Sequence, residues 1–457
     1  MEQEKRHLTE KFAAFVLETR YPDIPGEATH KAKQCILDTI GVTLAGSTDP
    51  VRSPVLKYLE EIGGQKQSTV IGVGLKTSAP EAALANGIFG HVLDYDDFNF
   101  CFIGHSTVVV VPVILALGEM LKSSGEEALT AFILGTEVQW RLGDALVAGG
   151  NHYSKGWHST GTIGTIGAAA AAGKLLRLNF EEMANAFSIA VSEAAGIREQ
   201  FGTMTKSFHA GRAAQNGIVA ALLAKGGFTG VRSAFEGPTG FLPLVADQYH
   251  LDQMRPLGRP WGILDPDAQR GVIFKLYPCC GSGDGAIDCI FALIKEHGLR
   301  AEDVASVDCF AHERKVANLR YHLPQTGLEG KFSLEYWLTI ALLDGQVGLQ
   351  QFTDEKVRDP RVQEFMKRIR FVADPEMPRF PVRIQVNMKN GQSHAKTFWP
   401  PKASPENPAT DEELILKFRS CAEWYGLPPE KIEKSIDFIL NLEKAKDLRP
   451  LLKWMVR

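Results

Sequence analysis

Two stretches leave the chain little freedom: TGTIGTIGAAAAAGKLL (160–176) and HAGRAAQNGIVAALLAKGG (209–227). Each reads as a helix whose sides are mostly glycine and alanine. Small residues at helical spacing let helices close to backbone contact. A glycine inside a helix costs ~1 kcal/mol relative to alanine, so these glycines serve close approach. Such helices belong in the interior of a tightly packed bundle.

The surrounding pattern extends that bundle. Helical spacing predicts helices over 7–19, 25–45 (Ala32, Ile36, Ile40 and Leu44 on one side), from Pro80, over the apolar run from Val108, and over 126–146 and 180–195. Residues 68–73 form a short strand at most. Near residue 268 the texture changes. GVIFKLYP (271–278) is strand-like, 286–297 and 332–345 are helical, and 304–312 reads as a strand. VRIQVNM and SHAKTF alternate on either side of Asn390-Gly391, a strong hairpin signal. From Asp411 the chain returns to helices. The fold class expected is mainly α. A large all-helical domain takes 1–267 with 399–457, and a smaller α/β (α+β) domain takes 268–398.

Composition narrows the partners. With 457 residues, 44% of them hydrophobic, the chain can bury a large core, and a formal charge of −4 without a basic block argues against nucleic acid and anionic membrane. The longest apolar run, 108–117, contains Pro112 and falls short of the ~20 residues of a membrane span. The start, MEQEKRHLTEKF, has no apolar core of a signal peptide. Seven irregularly spaced cysteines, with no CxxC or HExxH, read as reduced thiols of a cytoplasmic protein without a metal motif.

Four places concentrate ionisable residues amid small or apolar ones. HVLDYDDFNFCFIGHST (91–107) sets Asp94, Asp96, Asp97 and His105 between two core-type helices. Burying such groups is costly unless something there needs them. Lys155-Gly156-Trp157-His158-Ser159-Thr160-Gly161 opens the first small-sided helix, a natural anion seat. Lys206, His209 and Arg212, three apart each time, would share one helix face able to hold carboxylates. Lys275 lies in an apolar run leading to Cys279-Cys280 and a glycine-rich turn. This content, without a nucleotide loop, suits a small polycarboxylate. Chemistry beside a carboxylate needs a group to move a proton and cations to steady the developing enediolate.

In this context the sequence resembles the MmgE/PrpD family, which holds 2-methylcitrate dehydratase, cis-aconitate decarboxylase and iminodisuccinate epimerase. The resemblance rests on ILDTIGVTLAGS (36–47), ANGIFGHVLDYDD (85–97), GHSTVVVVP (104–112), GWHSTGTIGTIGAAAAAGKLL (156–176), FGTMTKSFHAGRAAQNG (201–217), KLYPCC (275–280) and EGKFSLEYWLTIALLDG (329–345). It implies a helical domain formed by both chain ends, an α/β lid, a homodimer, and a metal-free, cofactor-free site between the domains. The family's active-site aspartate falls on Asp94, its histidines on His105 and His158, and its lysines on Lys206 and Lys275. The sequence departs from the family at three of these places. Phe98 stands where the mammalian decarboxylases have threonine, Cys280 where they have a pocket histidine, and Asp284 where many members have a second histidine. The loop around Arg320-Tyr321-His322 diverges.

The expectation is therefore a metal-independent lyase, a hydro-lyase on a 2-methylcitrate-like acid. Asp94, His105, His158 and Lys206 would be catalytic, and Lys275, His209, Arg212 and Cys280 would bind substrate. An amino-dicarboxylate epimerase and a cis-aconitate decarboxylase are the alternatives within the family, the departures pointing away from the decarboxylase. Outside it stands a Mg²⁺-dependent all-α enzyme using Asp94 and Asp97, for which no second acidic motif is found.

Overall fold

The glycines meet as their spacing predicts. The computed structural model describes residues 6–147, 151–312, 318–378 and 381–457. The site rests on α1 (Gly26–Gly46), α2 (Ala79–Val92), α3 (Thr107–Leu121), α4 (Gly125–Val147), α5 (Ser159–Leu175) and α6 (Met204–Lys225). A Cβ on Gly87 of α2 would stand 2.6 Å from the Cα of Gly211 in α6. One on Gly217 of α6 would stand 2.3 Å from the Cβ of Ala168 in α5. Helix α6 thus meets α2 backbone to backbone and α5 with only the Ala168 methyl between. The apolar run from Val108 is α3, buried from Thr107 to Glu119 as a core helix should be. Among the described residues no helix is long and apolar enough to cross a membrane.

The described residues form two large hydrophobic cores. One runs from Leu8 to Phe274 and resumes from Ala403 to Met455, so both chain ends meet in it. The returning helix α9 (Asp411–Tyr425) packs on α1 and places Lys417 2.6 Å from the buried carboxylate of Asp38. The second core holds Phe201 with residues from Cys279 to Val386. It is built on a four-stranded mixed sheet covered by α7 (Asp284–His297) and α8 (Leu334–Asp344). In the order β2 (Ile369–Ala373), β1 (Val304–Ala311), β3 (Val382–Met388), β4 (Ser393–Phe398), β1 runs parallel to β2 and antiparallel to β3. The hairpin β3–β4 turns at Asn390-Gly391, where Gly391 has φ 86°. The fold is mainly α with this small sheet, as expected.

Residues 68–73, read as a short strand at most, hold Ser68–Thr69 paired with Lys76–Thr77. One local expectation is corrected. Residues 271–278 form no strand. Ile273 alone bridges to Phe98, Phe274 donates its N–H to Ala403, and Pro278 has no N–H to give. The segment threads between the two cores, its backbone satisfied piecemeal, and Lys275 is drawn off by a side-chain partner described below.

Candidate active site

Helix α2 carries His91 in its last turn and ends at Val92. Asp94 then adopts a left-handed backbone, φ 51°, which costs a non-glycine residue of order 1 kcal/mol or more. That turn aims its carboxylate at two lysines. Oδ1 accepts from Lys206 Nζ at 2.9 Å and from Lys275 Nζ at 2.6 Å, and Lys275 also reaches the Asp94 carbonyl at 2.8 Å. All three side chains are buried. Burial alone would raise the carboxyl's pKa, but the two ammonium groups override it and hold Asp94 well below the usual range. Burial pulls Lys275 down, and Asp94 beside it more than restores it. Oδ2 of Asp94 finds no hydrogen-bond partner among the described residues.

Beside this clamp lies a histidine–carboxylate chain. Asp96 can only accept, so Nδ1 of His91 (2.9 Å) and of His105 (3.0 Å) must carry the hydrogens. His105 Nδ1 also lies 2.9 Å from the Asp97 carbonyl. Its Nε2 is left as the basic nitrogen, 4.0 Å from Asp94 Oδ1. Desolvation lowers the pKa of His105 and takes His91 down to about 3, so both rings are neutral near pH 7. Asp97 turns the other way. Its Oδ2 accepts from Thr107 at 2.5 Å, and burial next to Asp38 pushes its carboxyl up. The Asp94/Asp97 pair therefore does not present one face, and the reading of that pair as Mg²⁺ ligands is corrected.

His158 caps the start of α5, donating its N–H to Gly196 at 3.0 Å. Its Nδ1 lies 3.0 Å from Nδ1 of His209 on α6. Burial keeps both rings neutral, His209 at about 4. The N-terminus of α5 is no open anion seat, because the His105 N–H occupies Thr160 Oγ1 at 3.1 Å and Gly104 packs against it.

Asp94, His105, His158, Lys206, Lys275 and Cys280 line one cavity of about 50 Å³, with Phe98, Phe201 and Phe332 as its apolar wall. The rings also flank the cations: Lys275 Nζ is 5.7 Å from the Phe98 centroid, and Lys206 Nζ is 5.4 Å from those of Phe201 and Phe332. Burial raises the Cys280 thiol, which stays protonated. Six expected site residues therefore converge. His209 and Arg212 do not. They line a separate cavity of about 470 Å³, and Arg212 bonds Gln215. Steps of three turn a helix back by about 60°, so Lys206, His209 and Arg212 fan across ~120° and face three different places. An outer cavity of about 590 Å³, lined by Lys155, Arg198 and Arg320, shares Phe201 and Asn318 with the inner one.

Sequence reasoning missed Tyr153 and Asn318, which hydrogen-bond at 2.7 Å on the cavity wall. It also missed Lys331, whose buried ammonium ties the Leu93 carbonyl (2.8 Å) to the Pro278 carbonyl. Burial takes Lys331 down to about 8. No motif marks Tyr153 or Asn318, and Lys331 lies within the family-like segment 329–345 without a signal that singles it out. The ligand atoms of His91, Asp94, Asp96 and His105 lie within 4.8 Å of one another, close enough for a metal ion. A divalent cation there would face two ammonium groups already seated on Asp94, and two imidazole N–H groups already spent on Asp96. The donor set fits a hydrogen-bond network better than a metal.

The cavity and the side chains behind it thus gather two ammonium ions, two carboxylates and three neutral imidazoles, groups able to hold charge and to exchange protons. The chain matches the MmgE/PrpD N-terminal domain over residues 10–254 and the MmgE/PrpD C-terminal domain over 277–444. It belongs to the MmgE/PrpD family. It is 29% identical to cis-aconitate decarboxylase of Homo sapiens, over 98% of this chain and 95% of that protein. To the cis-aconitate decarboxylase-like protein oryM of Aspergillus oryzae it is 28% identical, over 98% and 96%. The 2-methylcitrate dehydratase of Escherichia coli is 25% identical over 75% of this chain and 73% of its own length. Decarboxylases and dehydratases of this kind are lyases, and the chain is an enzyme of that class.

Proposed function

We propose that this protein is a metal-independent lyase of a small di- or tricarboxylate, and that it decarboxylates an aconitate-like acid. The observation that carries the reading is the Asp94 clamp: two buried ammonium groups meet on one carboxylate oxygen beside two neutral imidazoles. A substrate carboxylate entering the cavity meets the same two cations, which steady charge delocalised into it as the neighbouring carbon loses CO₂ or a proton. His105 Nε2 and His158 are placed to exchange a proton with that carbon. The phenyl wall favours a step in which a carboxylate leaves as neutral CO₂. The near-complete overlap with cis-aconitate decarboxylases supports this choice, against about three quarters for the dehydratase.

Dehydration of a 2-methylcitrate-like acid is the second reading. What speaks for it against decarboxylation is that Phe98 and Cys280 line the cavity, the two positions that depart from the mammalian decarboxylases' threonine and histidine. The test is proton NMR in D₂O, with EDTA present, on cis-aconitate, citrate, 2-methylcitrate and iminodisuccinate. Release of CO₂ with one deuterium entering carbon supports decarboxylation. Loss of water supports the dehydratase, and exchange without a new product supports an epimerase. Full turnover by Lys206→Ala or His158→Ala sinks the site assignment.

A further inference from the structure

His158 faces a cavity of about 50 Å³, room for one or two waters at ~30 Å³ each and none once a substrate is seated. Decarboxylation consumes one proton per turnover, because the carbanion left by CO₂ must be protonated. That proton comes from solvent, either by way of the outer cavity that shares Phe201 and Asn318 or through the groups behind His158. Directly behind His158, His209 lines the second cavity of about 470 Å³, on a different side of α5 and α6, together with Glu193 and Arg212. The two imidazoles are joined through Nδ1 at 3.0 Å, a contact in which one nitrogen donates and the other accepts.

The pair is built rather than incidental. Gly196, at φ 129°, accepts the His158 N–H and lies so close to His209 that a Cβ would stand 3.2 Å from Cγ of the ring. One glycine therefore sets both rings. The charges facing His209 are Lys206 one turn back on α6, and Glu193 and Arg212 across the second cavity. Burial and Lys206 keep the ring neutral, the form that can both give and take a proton.

We infer that His209 relays protons between His158 and water in the second cavity. In the delivery direction, water in that cavity gives a proton to Nε2 of His209. The Nδ1–H bond of His209 breaks as its proton moves to Nδ1 of His158, and His158 gives the proton on its remaining nitrogen to the substrate carbanion. One solvent proton enters and one reaches carbon, the hydroxide left behind being neutralised by bulk buffer; both rings end neutral in the opposite tautomers, which exchange with solvent restores when the product leaves. Run backwards, the same path carries an abstracted α-proton out. His209 touches no substrate and is a positioning and relay residue, which corrects its expected role in substrate binding.

The inference rests on the lyase reading, and its test separates the two. His209→Gln keeps a hydrogen-bonding partner for His158 but cannot pass a proton through; His209→Ala opens a space that free imidazole can fill. The expected result is a kcat lower by roughly tenfold to a hundredfold in both variants, with KM within about twofold of the parent. Imidazole should restore kcat of His209→Ala in a concentration-dependent way and leave His209→Gln unchanged. Parental kcat in His209→Gln, or no rescue of a folded His209→Ala, overturns the relay while the lyase stands. No turnover of any polycarboxylate by the parent enzyme overturns the lyase reading and the relay with it.

Discussion

Asp94 is the residue on which the site's charges depend, and its replacement has a readable cost. Asp94→Asn leaves Lys206 and Lys275 buried without their shared counter-charge. Breaking a buried ion pair by removing one partner costs about 3–5 kcal/mol. The expected outcome is a loss of that order in denaturant unfolding, together with loss of turnover. The histidines make a second prediction at this scale. Burial holds His91 at about 3 and His209 at about 4 in the folded chain, against 6.5 when unfolded. Between pH 6.5 and 4 the unfolded chain binds protons that the folded one refuses. Stability therefore falls as pH drops through that window, by about 1.4 kcal/mol per pH unit for each such histidine, and is fully recovered above it. Denaturant midpoints at pH 7 and 5 check this. The same rings should give a kcat/KM profile with no break near pH 6.5, measured between pH 5.5 and 8.

At the scale of elements, α6 decides whether Lys206 and His209 reach their places. A Cβ on Gly211 would come within 2.2 Å of the Leu84 carbonyl, so Gly211→Ala must push α6 off α2. Overpacking of this kind costs about 1–3 kcal/mol, and activity should fall with it because Lys206 moves away from Asp94. Unfolding free energy and kcat on the same preparation test the coupling. The small-sided helices were readable in the sequence because glycine spacing is a local signal of a close crossing. So was the loop from Leu93 to Ser106, where ionisable residues interrupt two apolar helices. The direction of each side chain along α6 was not, since a shared face is assumed in steps of three while the helix rotates beneath it. Lys275 was found for the right reason, an apolar setting, but its strand was not there: the ladder partners that make a strand come from elsewhere in the chain. β2 went unseen likewise, a five-residue run that becomes a strand by pairing with β1.

For the whole molecule, the site's walls come from both sides: Asp94, His105 and His158 from the segments that link helices of the first core, Cys280 and Phe332 from the second core. Its cavity of about 50 Å³ is far below the ~300 Å³ at which ligand pockets begin. The expected outcome is that a polycarboxylate enters as the walls part along residues 98–105 and 275–283. Amide exchange in those two segments should be measurable without ligand and suppressed by a saturating tricarboxylate; equal exchange in both conditions would show that the walls do not part.

That closure also supplies a clock. All seven thiols are buried, and Cys280 is the one on the cavity wall. A bulky alkylating reagent can reach it only during an excursion to the open form. Its labelling rate, followed by mass spectrometry on the native enzyme, counts openings directly, with the other six thiols as an internal standard for wholesale unfolding.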